Sequence, residues 1–111
     1  MKKSNLKSIT INVNKRWFNE VKDGIKTEEY RLYNDYWKTR LLNKDGTPKT
    51  FKDIKYKLGY PKNGDQSKVL EFEWEGFIVK EITHPHFDNK PETVFAIQLS
   101  KRKTVTLYNG K

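Results

Sequence analysis

The chain has 111 residues, a length that suits one compact domain with a modest core. It contains no cysteine, which excludes disulfides, thiolate metal ligands and a cysteine nucleophile. It carries 23 Lys and Arg against 14 Asp and Glu, a net charge of +9, and no apolar run approaches the ~20 residues that span a bilayer. We therefore expect a single domain over residues 1–111, with its core at about 6–100, in a cytoplasmic protein without a membrane partner.

The first half of the sequence predicts strands that alternate with short helices. The expected elements are a strand at 6–13, a helix at 15–23, a strand at 26–33 and a helix at 34–42. Asn14 is a typical N-cap for the first helix, and Gly24 is a typical glycine after its end. Asn34 or Asp35 is expected to cap the second helix.

The second half of the sequence predicts strands without helices. The expected strands lie at 53–60, 69–82, 93–100 and 104–108, with a turn at 61–66, so residues 101–111 form a tail or an extra strand. In the long strand, Ile78 and Val79 make both faces apolar after Gly76. We interpret this change as a bend through which the strand moves deeper into the core. Six strands with two short helices predict an α+β fold, a small, partly closed β-barrel with the helices packed at its ends.

The positive charge predicts a polyanion as the partner. Small basic domains commonly bind nucleic acid through clustered Lys and Arg. The alternative explanation is a generally lysine-rich composition, because Arg occurs at four positions alone, 16, 31, 40 and 102. Charge by itself leaves both explanations open.

One short segment combines opposite charges with aromatic rings. Gly24, Lys26, Glu29 and Arg31 spell G-x-K-x-x-E-x-R at the turn from the first helix into the second strand. Glu29 and Arg31 are two residues apart on a predicted strand, so their side chains project from the same face, which Lys26 can reach from the turn. Lys26 and Arg31 could then bind a phosphate, while Glu29 orients Arg31 or accepts a hydrogen bond from a base or sugar. The alternative is a surface ion-pair cluster without function.

This motif and the aromatic segment around it resemble the signature of the ASCH domain family. That family has a PUA-like β-barrel, and the similarity is greatest to its small stand-alone bacterial and phage members. It covers about residues 9–100, including "LGYPKN" and "VFAIQLS", and leaves out the residues after Lys101. The resemblance implies a cleft beside the barrel, lined by the motif, that binds RNA or a nucleotide-like ligand.

The resemblance also implies an alternative function, because some family members are hydrolases. They act as ribonucleases or as amidohydrolases on an acylated cytidine. In this alternative Lys26 and Glu29 are the candidate catalytic residues, as base and as acid or orienting group. The amidohydrolases, however, carry a threonine nucleophile where this chain has Glu29, and Thr27 is two residues away. We therefore predict an RNA- or nucleotide-binding module and keep enzyme activity as the alternative.

The candidate ligand-binding residues extend from the motif into the aromatic segment. They are Gly24, Lys26, Thr27, Glu29, Arg31, Tyr33, Tyr36, Arg40 and Tyr60. The three tyrosines lie beside predicted loops, where their rings can stack a base. His84 and His86 are spaced as metal ligands and Asp88 is close, but we favour a plain polar loop. We thus predict no metal, no cofactor and a monomer.

Overall fold

A computed structural model of the protein describes residues 6–60 and 66–103. The elements are β1 (Ile9–Val13), α1 (Lys15–Lys22), β2 (Glu28–Leu32), α2 (Asp35–Leu41), β3 (Asp53–Leu58), β4 (Val69–Glu73), β5 (Phe77–Thr83) and β6 (Pro91–Gln98), with 3-10 turns at Gln66–Lys68 and Pro85–Phe87. The predicted α+β fold is confirmed. Most of the predicted turn at 61–66 and the whole predicted strand at 104–108 lie outside the described residues.

Both helices begin at an asparagine cap, as predicted for α1, and of the two candidates for α2 the cap is Asn34. The side chain of Asn14 accepts a hydrogen bond from the backbone N–H of Trp17 at 3.1 Å, and Asn34 accepts one from Trp37 at 3.0 Å. Gly24 follows α1 with a φ of +76°, a conformation that glycine adopts without steric cost. The helices contain 8 and 7 residues, and none in the described ranges is long and apolar enough to cross a membrane.

The strands form two three-stranded sheets. The first sheet has the order β1-β3-β4, with β1 parallel and β4 antiparallel to β3. The second sheet has the order β2-β6-β5 and is antiparallel throughout. Both sheets and both helices contribute to one core, whose largest fully buried apolar side chains are Tyr56, Phe72, Phe95, Ile11, Leu41, Ile54 and Ile97.

The chain crosses from the second sheet to the first after β6. The backbone N–H of Glu73 donates to the carbonyl of Lys101 at 2.9 Å, and that of Lys103 donates to the carbonyl of Glu71 at 2.8 Å. Residues 101–103 therefore lie along β4, and Lys103 also donates to the buried carboxylate of Asp53 at 2.8 Å. The described strands form two sheets and no closed barrel, so the partly closed barrel stays a prediction.

The prediction of one long strand at 69–82 is wrong. Residues 69–73 pair with β3 in the first sheet, whereas residues 77–83 pair with β6 in the second. Gly76 separates them with a φ of +86°, a left-handed conformation that breaks the extended chain. The expected move into the core is also wrong, since Ile78 and Val79 are 53% and 44% exposed. β5 is an edge strand of its sheet, where side chains are less completely buried.

Candidate functional site

The charged residues of the motif gather around one fully buried carboxylate, that of Glu29. Its Oε1 accepts hydrogen bonds from Lys26 Nζ at 3.0 Å and from the Tyr56 hydroxyl at 2.9 Å. Arg31 Nη2 lies 2.9 Å from Oε2 as an ion pair, without the alignment of a hydrogen bond, and donates to the backbone carbonyl of Asn12 at 3.1 Å. The spacing of the motif therefore does bring Lys26, Glu29 and Arg31 together.

This motif cluster lies mostly inside the protein. Lys26 is 8% exposed, and the side chain of Arg31 is 19% exposed. Burying a carboxylate without a counter-charge costs several kcal/mol of folding free energy. Lys26 and Arg31 therefore neutralise Glu29, and their charges are less available to bind a ligand. Burial and the Glu29 charge raise the pKa of Tyr56 above its usual value, which keeps the phenol protonated as a hydrogen-bond donor. The cluster is an internal charge network with Arg31 as its most exposed member.

Helix α2 connects the motif cluster to the protein surface. The Arg31 guanidinium lies 5.1 Å from the ring centroid of Trp37. Arg40 lies 5.9 Å from the same ring and 4.5 Å from the ring centroid of Tyr36. Alternating cations and rings of this kind attract each other electrostatically. They fix the side chains of α2 relative to β2.

Two adjoining depressions follow α2 at the surface, and together we call them the α2 groove. The first, of about 610 Å³, is lined by residues that include Ser8, Thr10, Tyr36, Arg40 and Phe51. The second, of about 600 Å³, is lined by residues that include Lys38, Leu42, Asn43, Lys44 and Gly46. Thr39 and Lys49 line both depressions, so the two depressions adjoin. Among the described residues that line it, none is acidic.

The predicted ligand-binding residues are thus divided between two places. Lys26, Glu29 and Arg31 form the motif cluster, whereas Tyr36 and Arg40 line the α2 groove. The remaining four candidates line neither depression and make no described side-chain bond to Glu29: Gly24, Thr27, Tyr33 and Tyr60. Of these, Tyr33 packs between Phe95 and Lys38, and Tyr60 is 91% exposed.

The loop at residues 84–87, here called the histidine loop, lies against the Lys26 side of the motif cluster. The sequence analysis did not predict this contact. The imidazoles of His84 and His86 lie 5.2 and 5.1 Å from the ring centroid of Trp17, and His84 lies 5.1 Å from that of Tyr30. Lys26 Nζ lies 4.9 and 5.2 Å from these same two rings. In residues 6–60 and 66–103, no three His, Asp or Glu side chains come together as metal ligands. The loop is therefore part of the aromatic packing around Lys26.

Three comparisons with known proteins bear on this site. None of them finds a matching family model, curated protein or solved structure. The resemblance to the ASCH family therefore depends on the motif and its sequence context. What the site can do follows from its own geometry, a buried charge network beside an open basic groove.

The environment of the histidine loop makes it sensitive to acid. Burial, followed by the charge of Lys26, lowers the pKa of His84 below its usual 6.5. Burial also lowers the pKa of His86, and the charges of Lys26 and Arg31 add to this against the opposing charge of Glu29. When the pKa is lower in the folded state, the stabilisation is complete above about 6.5 and is lost as the pH falls through the folded value.

We therefore expect the melting temperature to fall as the pH is lowered from about 8 to about 5. The slope should be smaller for the His84→Gln/His86→Gln double variant, which has no imidazole to protonate there. NMR titration of the ring protons measures the two pKa values directly. Values at or above 6.5 for both rings in the folded protein would contradict the expectation.

Proposed function

We propose that the protein is an RNA- or nucleotide-binding module of the ASCH type, with the α2 groove as its ligand-binding surface. The observation that carries this proposal is the composition of the groove. It combines the exposed ring of Tyr36 with the cations Arg40, Lys49, Lys38 and Lys44, and none of its described lining residues is acidic. Rings that stack bases beside cations that contact phosphates are typical of nucleic-acid sites.

Arg40 is the cation best placed to contact a phosphate. Its side chain is exposed and lies on the ring of Tyr36 at 4.5 Å. No carboxylate of residues 6–60 and 66–103 lies within 4.0 Å of it. The guanidinium of Arg40, with five N–H donors, therefore has no carboxylate partner among the described residues. Lys26 and Arg31, in contrast, both pair with Glu29.

In this proposal the motif cluster supports the groove from inside. Arg31 connects Glu29 to Trp37 on α2, and Trp37 is in turn next to Arg40. The same proposal includes a partly closed PUA-like barrel and a monomer in the cytoplasm. The pairing of residues 101–103 with β4 supports the barrel, because the chain that leaves the second sheet continues along the first.

The hydrolase alternative finds less support. Lys26 and Glu29 are buried, bond to each other and adjoin the Tyr56 hydroxyl, a combination that favours catalysis inside an enclosed pocket, but neither residue lines the α2 groove. Thr27, the threonine nearest in sequence to the family's nucleophile position, is exposed, and within the described residues no side-chain contact joins it to the cluster. Binding is therefore the function that we propose.

The proposal predicts binding that weakens steeply with salt. Bound Lys and Arg release condensed counterions from RNA, so the logarithm of the association constant should fall linearly with the logarithm of the salt concentration. Arg40→Ala should weaken binding of a fluorescein-labelled RNA by about 1.5–3 kcal/mol and reduce the salt slope by about 1. Fluorescence anisotropy at several salt concentrations measures both quantities.

The matched control for Arg40→Ala is Arg16→Ala. Arg16 is an exposed arginine on α1 that pairs with Glu20 and does not line the groove. The Arg16→Ala variant removes the same charge from the protein as Arg40→Ala. Because this charge lies outside the groove, the variant should leave the salt slope nearly unchanged. An affinity that does not change between low and moderate salt, or equal losses for both variants, would count against the α2 groove as the binding surface.

A further inference from the structure

We infer that the ligand of the α2 groove is a single-stranded polynucleotide, with one unpaired base stacked on Tyr36 and its backbone phosphates in contact with the cations of the groove. This inference rests on the proposed function and narrows it to one class of ligand. It follows from the length of the groove, from the position of its cations and from the exposure of Tyr36.

The groove is too extended for a single nucleotide. Each depression, at about 600 Å³, is by itself within the range of about 300–1,000 Å³ that small-molecule sites occupy. Because both are lined by Thr39 and Lys49, they lie next to each other along α2. A mononucleotide would fill one depression and leave the other empty. A chain of nucleotides can occupy both.

The cations are spread over both depressions. Arg40 lies in the first depression, Lys49 between the two, and Lys38 and Lys44 in the second. Lys49 Nζ donates one hydrogen bond to the carbonyl of Thr39 at 2.9 Å, which leaves further donors for a phosphate. Several positive charges on one surface match the repeating negative charge of a polynucleotide backbone.

Tyr36 offers a ring for an unpaired base. Its side chain is 58% exposed, and its ring packs edge-on against Trp37 with centroids 5.4 Å apart. Arg40 lies 4.5 Å from the ring centroid, so ring and guanidinium are held next to each other. Bases stack on tyrosine rings and on arginine planes, but a base within a duplex is already stacked on its neighbours. The ring therefore favours single strands.

The test compares three probes and two variants of one residue. The probes are a fluorescein-labelled RNA of about ten nucleotides, within the range that one small domain covers, the blunt duplex of the same sequence, and adenosine monophosphate as competitor. We expect the single strand to bind at least about tenfold more tightly than the duplex or the mononucleotide. Tyr36→Ala should weaken single-strand binding by about 5- to 100-fold, as loss of one stacked base does. Tyr36→Phe, which keeps the ring, should bind within about twofold of wild type.

The control variant is Ile25→Ala, which removes an apolar side chain that is 75% exposed and lies outside the groove. It should bind as wild type does, and all variants should keep the wild-type melting temperature. A single-stranded DNA of the same sequence should also bind, because stacking and phosphate contacts do not require a 2′-hydroxyl.

The outcomes separate this inference from the proposed function. If the duplex binds as tightly as the single strand, or if Tyr36→Ala binds as wild type while Arg40→Ala does not, the inference is overturned and the proposed function stands. If none of the three probes binds at low salt, both are overturned. Tight single-strand binding that depends on the Tyr36 ring supports both.

Discussion

Replacing Glu29 with alanine is expected to lower the free energy of unfolding by about 3–5 kcal/mol, because it leaves buried positive charge without compensation. Lys26 would keep an 8% exposed ammonium group with no carboxylate beside it, and the buried hydroxyl of Tyr56 would lose its acceptor. Urea unfolding measures the loss. The melting temperature should fall by more than about 10 °C for a domain of this size.

The matched control for Glu29→Ala is Glu71→Ala. Glu71 also pairs with a lysine, Lys55, at 2.9 Å, but both side chains are about one-third exposed, so its loss should cost no more than about 1 kcal/mol. The double variant Lys26→Met/Glu29→Gln should lose less free energy of unfolding than the sum of the losses of Lys26→Met and Glu29→Gln, since it removes both charges together. A Glu29→Ala protein within about 1 kcal/mol of wild type would contradict the charge network.

Replacing Trp17 with alanine is expected to cost a similar amount, about 3–5 kcal/mol, because it removes a large buried ring. Trp17 is 6% exposed and supports the histidine loop and Lys26 from one side. The histidine loop should therefore become more mobile than the rest of the chain. Thermal unfolding measures the first effect, and amide hydrogen exchange at residues 84, 86 and 87 measures the second.

Tyr60→Ala is the control for Trp17→Ala, since it truncates an aromatic side chain that is 91% exposed. It should change neither the melting temperature nor the hydrogen exchange of the loop. If Trp17→Ala destabilises the protein but residues 84, 86 and 87 exchange as in wild type, the packing of the loop against Trp17 is not what holds it. A loss below about 1 kcal/mol would contradict the core position of the ring.

The elements that the sequence predicted well are those with local signals. Asn14 marks the start of α1 and Gly24 follows its end. Both do so through hydrogen bonds and backbone conformation that involve residues three or four positions away. The long strand at 69–82 was mispredicted for the opposite reason. The alternation of apolar residues indicates extended chain, but it does not specify the sheet that each part joins. The left-handed conformation of Gly76 ends the first extended segment, and the second segment joins the other sheet as an edge strand. Ile78 is therefore exposed.

The candidate site divides in the same way. The two-residue spacing of Glu29 and Arg31 correctly predicted that they share a face. It did not predict that Glu29 is fully buried, because its cover includes Tyr56, 27 positions further along the chain. The contact of His84 and His86 with Trp17 is longer still in sequence, and no local pattern indicates it. Burial and long-range contacts of this kind depend on the assembled fold.

The interleaved order of the strands has a consequence for how the protein is made. Among the described strands, β2 has one partner, β6, and the side chains of Glu28 and Gln98, 70 positions apart, bond across that pair. At a synthesis rate of about 5–20 residues per second, β2 leaves the ribosome roughly 3–14 s before β6 exists. Throughout that interval its backbone N–H and C=O groups can pair with another nascent chain. The second sheet can be completed only once β6 has emerged, and until then misassembly through the unpaired edges of β2 is possible.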